Sequence, residues 1–266
     1  MSVEVHPTAL VEEGAQLGEG TTIGPYSIVG PEVVLGPRTQ VGSNVRIVGR
    51  TTIGADTVIY PFTAVGEAPQ DTTYEGEDST VEIGDHCILR EHVTVHRGTK
   101  RGGMRTRIGD HCFLMVGAHV AHDCTVGSHV TLVNGATLGG LVEVGDYATL
   151  GGLAAVQQRI RVGAYAFVGG LVGVTSEVIP YATAIGHRAE LGGLNIVGLK
   201  RRGFDRPTIH ALRASYREIF FGRGTLDERV ERAAERFSDV EPVMAIIDFV
   251  RKGGKRALCT PRDVEI

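Results

Sequence analysis

Ile108-Gly-Asp-His-Cys-Phe-Leu114-Met-Val-Gly-Ala-His-Val120-Ala-His-Asp-Cys-Thr-Val126-Gly-Ser-His-Val-Thr-Leu132 puts an aliphatic residue at every sixth position. The beat continues through Leu138, Val144, Leu150, Val156, Val162 and Val168 to Val174. Upstream it runs from Val5 to Val65 and again through Ile83, Leu89 and Val95, for 26 aliphatic positions in all. Gly follows directly at fifteen of the 26, so a turn residue keeps the same phase. A helix repeats about every 3.6 residues and an alternating strand every ~2, and neither gives this pattern. A hexapeptide-repeat β-helix does, because each short strand sends one side chain inward before the chain turns a corner. The expected fold is mainly β.

The chain has 266 residues, 42% of them hydrophobic, with 37 Gly. That is enough for one large domain or two ordinary ones. Its first residues, Met-Ser-Val-Glu-Val-His, lack a basic segment followed by an apolar one, so no signal peptide is expected. No apolar run approaches the ~20 residues of a spanning helix, so no membrane insertion is expected. Cys87, Cys112, Cys124 and Cys259 lack CxxC spacing and read as reduced small hydrophobes in a cytoplasmic protein. A net charge of −4 argues against a nucleic-acid partner.

The repeat defines the organisation. Residues 1–190 read as the β-helix and 191–266 as a C-terminal helical domain covering its open end. Polar residues 67–80 interrupt the beat without shifting it, whereas the gap of 13 from Val95 to Ile108 shifts it by one. Excursions are therefore expected near 67–80 and 98–107, and loops that interrupt a repeat array tend to carry function. Pro207 suits the first turn of a helix bearing Ile209, Leu212, Tyr216 and Ile219. Thr225-Leu-Asp-Glu228 and Ser238-Asp-Val-Glu241 read as capping boxes of two more helices, and Gly253-Gly254 ends the last.

Seven of the ten histidines fall between positions 86 and 129. His111 and His129 are three hexapeptides apart, the spacing that stacks residues on one face of a three-sided coil. In Ala118-His119-Val-Ala-His122-Asp123-Cys124, Val120 holds the inward beat, which leaves His119 and His122 at a corner or facing outward. Asp123 adjoins His122 and would orient it. An imidazole, with an ordinary pKa of about 6.5, accepts a proton from a hydroxyl at neutral pH. A polar patch at a subunit contact fits the same residues. Gln70-Asp71 on the first excursion suits sugar hydroxyls or is plain polar loop. Asn195 with Lys200, Arg201 and Arg202 suits a diphosphate or an acidic carrier, or is solvated surface.

Five stretches together resemble one family over essentially the whole length: His6-Pro-Thr-Ala, Gly66-Glu67…Gln70-Asp71…Tyr74…Gly76-Glu77, His96-Arg-Gly-Thr99, Ala118 to Gly127, and Gly198-Leu-Lys-Arg-Arg-Gly-Phe204. They are similar to the acyl-carrier-protein–UDP-N-acetylglucosamine O-acyltransferases that begin lipid A synthesis. The resemblance implies a left-handed parallel β-helix with a C-terminal α-helical domain, a homotrimer, and active sites between subunits. It implies His122 as general base on the sugar 3-hydroxyl, Asp123 as its support, and the Gly140 N–H as oxyanion donor. Gln70, Asp71 and His119 would hold the glucosamine unit. Gln158, Asn195 and Arg201 would meet the nucleotide or pantetheine, and Gly170 would leave room for the acyl chain. No cofactor or metal is implied, because the acyl group arrives on the carrier's phosphopantetheine. Lys100, Arg101, Lys200, Arg202, Arg213 and Arg217 are the candidates for docking the acidic carrier.

The departures from the family pattern lie on the recognition side. Thr73 stands for a lysine, Leu141 and Gln157 for histidines, Val197 for a glutamate, and His187-Arg188 for Asn-His. They suggest an altered acceptor, such as a UDP-sugar with a 3-amine, or an altered chain length. A zinc enzyme of the trimeric β-helical carbonic anhydrase type is the alternative that the histidine cluster raises.

Overall fold

A computed structural model describes residues 2–262. Two-residue strands alternate with four-residue corners, and every third strand pairs in parallel. Thr131 lies beside Thr149 and Leu132 beside Leu150, so one coil takes three hexapeptides. Three flat parallel sheets form the walls of a parallel β-helix. The first contains Val58–Ile59 and Phe113–Leu114, the second His119–Val120 and Thr137–Leu138, and the third Thr125–Val126 and Glu143–Val144.

The aliphatic beat is the interior. From Ile23 to Val174 each of its members is buried and belongs to one continuous core. At the N-terminal end the rule lapses. Val5 is 44% exposed because, among the described residues, its strand is the edge of the first sheet.

Corners carry a second regularity. Thr21, Ser27 and Thr39 are buried there, and each hydroxyl donates to a carbonyl of the next coil. Cys112 and Cys124 take the same place, their thiols facing the Gly127 and Gly139 carbonyls at 3.1 and 3.2 Å. All four cysteines are buried and free. On the corner between the third and first sheets, His86, His111, His129, Tyr147, Tyr165 and Tyr181 form a stacked column. Their ring centroids are 4.5 to 5.4 Å apart, and His111 meets His129 at 4.7 Å as their sequence spacing predicts.

Both excursions are shorter than the sequence suggests. Glu67 pairs with His96, and Thr80 pairs with Arg50 and Arg105, so the first excursion spans 68–79. Arg105–Ile108 is a strand of the third sheet, so the second spans 97–104. Polar side chains disguise these strand ends, because Arg105 and Arg107 point outward while Thr106 and Ile108 point in.

Past Val174 the strand Ala182–Ile185 joins the first sheet and pairs antiparallel with Glu190–Leu194, the last strand of that sheet. The chain therefore remains extended to Leu194, beyond residue 191. Helices α1 (Ile196–Arg201), α2 (Arg206–Phe221), α3 (Leu226–Arg236) and α4 (Glu241–Lys252) follow. Asp205 caps α2, whose first turn holds Pro207. The Thr225–Glu228 capping box is present. The Ser238–Glu241 box is not: Val240 is the cap residue and Glu241 the first helical one, so Ser238 lies too early in the chain to cap. The helices join the coil through buried Leu199, Leu212, Val243 and Ile246, and through the buried Arg161–Glu177 ion pair, whose guanidinium also lies over the Phe249 ring.

Candidate active site

Both excursions leave the corner between the second and third sheets, and His122 sits on that corner one coil later. Val120 fills the core, which forces the next residues around the turn. Asp123 takes the left-handed backbone conformation there (φ 59°). Its carboxylate, with no exposed side-chain surface, faces the His122 Nδ1 at 2.8 Å.

Three further bonds hold that carboxylate. The Thr99 N–H donates to both oxygens at 3.0 Å, and the Thr99 hydroxyl donates to Oδ2 at 2.6 Å. Burial by itself would raise the pKa of Asp123. The donors on His122 and Thr99 outweigh it and hold the acid below its ordinary value. An ionised Asp123 can only accept, so a neutral His122 bonded to it carries its hydrogen on Nδ1 and presents Nε2 as an acceptor.

Gly140 closes the other side. A Cβ at this position would overlap Nε2 and Cε1 of His122, so a side chain here would occupy the space in front of the imidazole. The coil's bonds at this corner run from the Gly139 N–H to the Val156 carbonyl and from the Leu141 N–H to the His122 carbonyl. Gln158 is exposed one coil above.

His119 and His96 meet edge to face at 5.0 Å nearby. The His119 Nδ1 lies 2.7 Å from the Thr94 hydroxyl. Burial, then His96 and His122, push its pKa down to about 4. Burial likewise lowers His96. Both rings are therefore neutral near pH 7. Asp71 is held low by the Thr73 N–H and hydroxyl, each 2.8 Å from its Oδ1, with His122 and Arg101 adding to the effect. Gln70 is exposed beside it. Thr73, Thr99, Lys100 and Arg101 line a cleft of about 370 Å³ between the excursions.

The other candidates lie on different corners. Asn195 and Arg201 border a cavity of about 1020 Å³ with Tyr147, Tyr165 and Phe167, where the third sheet turns into the first. Asn195 is largely committed there. It caps α1 through the Gly198 N–H at 3.1 Å and donates to the Tyr165 carbonyl at 3.0 Å. Arg202 lies over the Tyr147 ring, 4.4 Å from its centre. Gly170 is exposed on the corner between the first and second sheets. Lys200 is exposed on α1, and Arg213 and Arg217 are exposed on α2. One chain thus gathers His122, Asp123, Gly140, His119, Gln158, Asp71, Lys100 and Arg101 at one corner, and leaves Asn195, Arg201 and Gly170 apart. Sequence reasoning missed Thr99, Thr94 and His96. The stretch His96-Arg-Gly-Thr99 marks two of them but gives no reason for their roles.

The profile of the second domain of UDP-N-acetylglucosamine O-acyltransferases matches residues 177–259. The bacterial transferase hexapeptide profile matches 14–49 and 105–140. The acyl-[acyl-carrier-protein]–UDP-N-acetylglucosamine O-acyltransferase of Azorhizobium caulinodans is 54% identical over 258 residues, 97% of this chain and 95% of that protein. The chain belongs to this family. Its namesake from Caulobacter vibrioides is 51% identical over 97% of this chain and 98% of its own length. The UDP-N-acetylglucosamine acyltransferase structure from Campylobacter jejuni superposes with a TM-score of 0.92 at 35% identity, covering 97% of this chain and all of that one. The Francisella novicida acyltransferase gives 0.94 at 32% identity, covering 97% and 95%. The β-helix is the left-handed one of this acyltransferase family, followed by its C-terminal helices.

Among the described residues, no three His, Cys, Asp or Glu side chains converge on a metal position. No described helix is long and apolar enough to cross a membrane.

Proposed function

We infer that this chain transfers a 3-hydroxyacyl group from acyl carrier protein to the 3-hydroxyl of UDP-N-acetylglucosamine, the first step of lipid A biosynthesis. His122 Nε2 takes the hydroxyl proton as the sugar oxygen attacks the thioester carbonyl. A C–O bond forms, and the resulting oxyanion accepts a hydrogen bond from the Gly140 N–H. Collapse breaks the C–S bond, and the proton on His122 passes to the departing phosphopantetheine thiolate. Asp123 keeps Nδ1 protonated and stabilises the imidazolium. Asp71, Gln70 and His119 hold the glucosamine. The observation that carries this reading is the pairing of a locked Nδ1 with a glycine packed on Nε2.

Asn195, Arg201 and Gly170 lie on other corners, so a complete site would draw on a second subunit, as in a homotrimer with sites between neighbours. Lys100, Arg101, Lys200, Arg202, Arg213 and Arg217 would steer the acidic carrier. No cofactor enters these steps, and the reaction belongs in the cytoplasm where carrier and nucleotide sugar meet. The relatives' names, all O-acyltransferases, favour a hydroxyl over an amine acceptor. Mass spectrometry of product formed from 3-hydroxyacyl carrier protein and UDP-N-acetylglucosamine tests the assignment, with His122→Ala as control.

A further inference from the structure

The second excursion lengthens one coil beyond the regular three hexapeptides, so that Ile88 pairs with Phe113 where Phe113 in turn pairs with Thr131 at the ordinary spacing. A loop of that size needs a reason, and its geometry supplies one. Thr99 is 3% exposed, and its own carbonyl accepts the Gly102 and Met104 N–H groups at 3.1 and 3.0 Å. Its backbone is thereby fixed, and its N–H and hydroxyl both point at Asp123. From the far side the Asp123 N–H donates to the Thr106 hydroxyl at 2.8 Å. Gly98 and Gly102 pack against the same carboxylate so closely that a Cβ on either would collide with it.

We propose that Thr99 is a positioning residue of the acyl transfer: its hydroxyl and N–H clamp the Asp123 carboxylate so that Oδ2 stays on His122 Nδ1. This rests on the reading of His122 as general base. A carboxylate bound by His122 alone would turn about its χ2 and release the imidazole. With Thr99 on both oxygens it has one orientation, and the second excursion exists to deliver that residue. The charged and titratable groups around the His122–Asp123 pair are His96 and His119 from the second sheet, Asp71 from the first excursion, and Arg101 and Lys100 from the second.

Thr99→Val keeps the shape and the backbone N–H while removing the hydroxyl. We expect kcat to fall about tenfold to 100-fold, the cost of a catalytic group held slightly out of place. KM for the sugar should stay within about threefold, because no substrate contact is lost. The acidic limb of the kcat profile should move to higher pH, because a carboxylate with fewer donors holds a proton on the pair more tightly. Thr99→Ser should restore most of the rate. Gly102→Ala, which pushes on Asp123 from the loop, should reproduce the kcat loss and serves if the valine variant does not fold. Unchanged kcat in either folded variant, or a loss that serine does not rescue, would overturn the proposal. The His122→Ala control separates the two claims: an inactive alanine variant beside a fully active Thr99→Val sinks the clamp alone, whereas an active alanine variant removes the base itself.

Discussion

Gly140 lies against the His122 imidazole so closely that a single added methyl would overlap Nε2. The glycine belongs to the next coil up, one full turn along the chain, so the coil's regular spacing sets the distance between the imidazole and the Gly140 backbone. Its φ does not lie in the left-handed region, so alanine is tolerated by the backbone and objectionable only to His122. Gly140→Ala should therefore keep the circular-dichroism spectrum and lower kcat by about 100-fold or more. Steady-state kinetics on the folded variant checks this.

Stability should follow the neutral histidines. An unfolded chain protonates His119 near the ordinary 6.5, whereas the folded site refuses the proton until about 4. The unfolded state thus binds more protons in that window, and stability falls as pH drops through it. His96 shifts the same way, for the same reason. Thermal melts from pH 7 to 4 should show a declining midpoint, and His119→Gln should flatten the decline. An equal decline in the variant would assign the effect elsewhere.

One buried ion pair of the coil also holds the last helix. Arg161 sits between Glu177 and the Phe249 ring and also donates to the Phe249 carbonyl at 3.1 Å. Removing one partner strands the other charge, so Glu177→Ala should cost about 3–5 kcal/mol. Replacing both residues with methionine should cost less than this single change. Chemical denaturation of the three proteins measures the difference.

Thr73 sends both of its donors to the same oxygen of Asp71. It orients the carboxylate rather than adding a charge. Thr73→Val should raise KM for the sugar about threefold to tenfold with little change in kcat. Steady-state kinetics with the sugar varied at saturating acyl donor checks the split.

The coil was legible because an inward side chain every sixth residue has no other regular explanation. The site was legible in part. His122 and Asp123 fall within the family's motif, and Gly140 lies one coil beyond His122 at the same phase of the repeat, so their meeting follows from the register. Thr99 lies well before Asp123 in the chain, inside an excursion that breaks the beat, and no period reports where such a loop folds back. The Ser238 cap failed for a related reason: Pro242 and the C-cap of α3 at Phe237 fix the start of α4, and a local motif does not weigh them. Asn195 looked like a free ligand amide because its sequence neighbours do not reveal that the Tyr165 carbonyl lies beside it.

On the proposed reading, the His122–Asp123 pair fronted by Gly140 activates the sugar hydroxyl for acylation. The most direct test is a mass-spectrometric transfer assay with 3-hydroxyacyl carrier protein of several chain lengths and two acceptors, UDP-N-acetylglucosamine and its 3-amino analogue. An ester product should form on UDP-N-acetylglucosamine, and its rate of formation should drop by ~10²–10⁴ in His122→Ala. Product from the amine alone, or ester formation that survives the His122→Ala change, would contradict it.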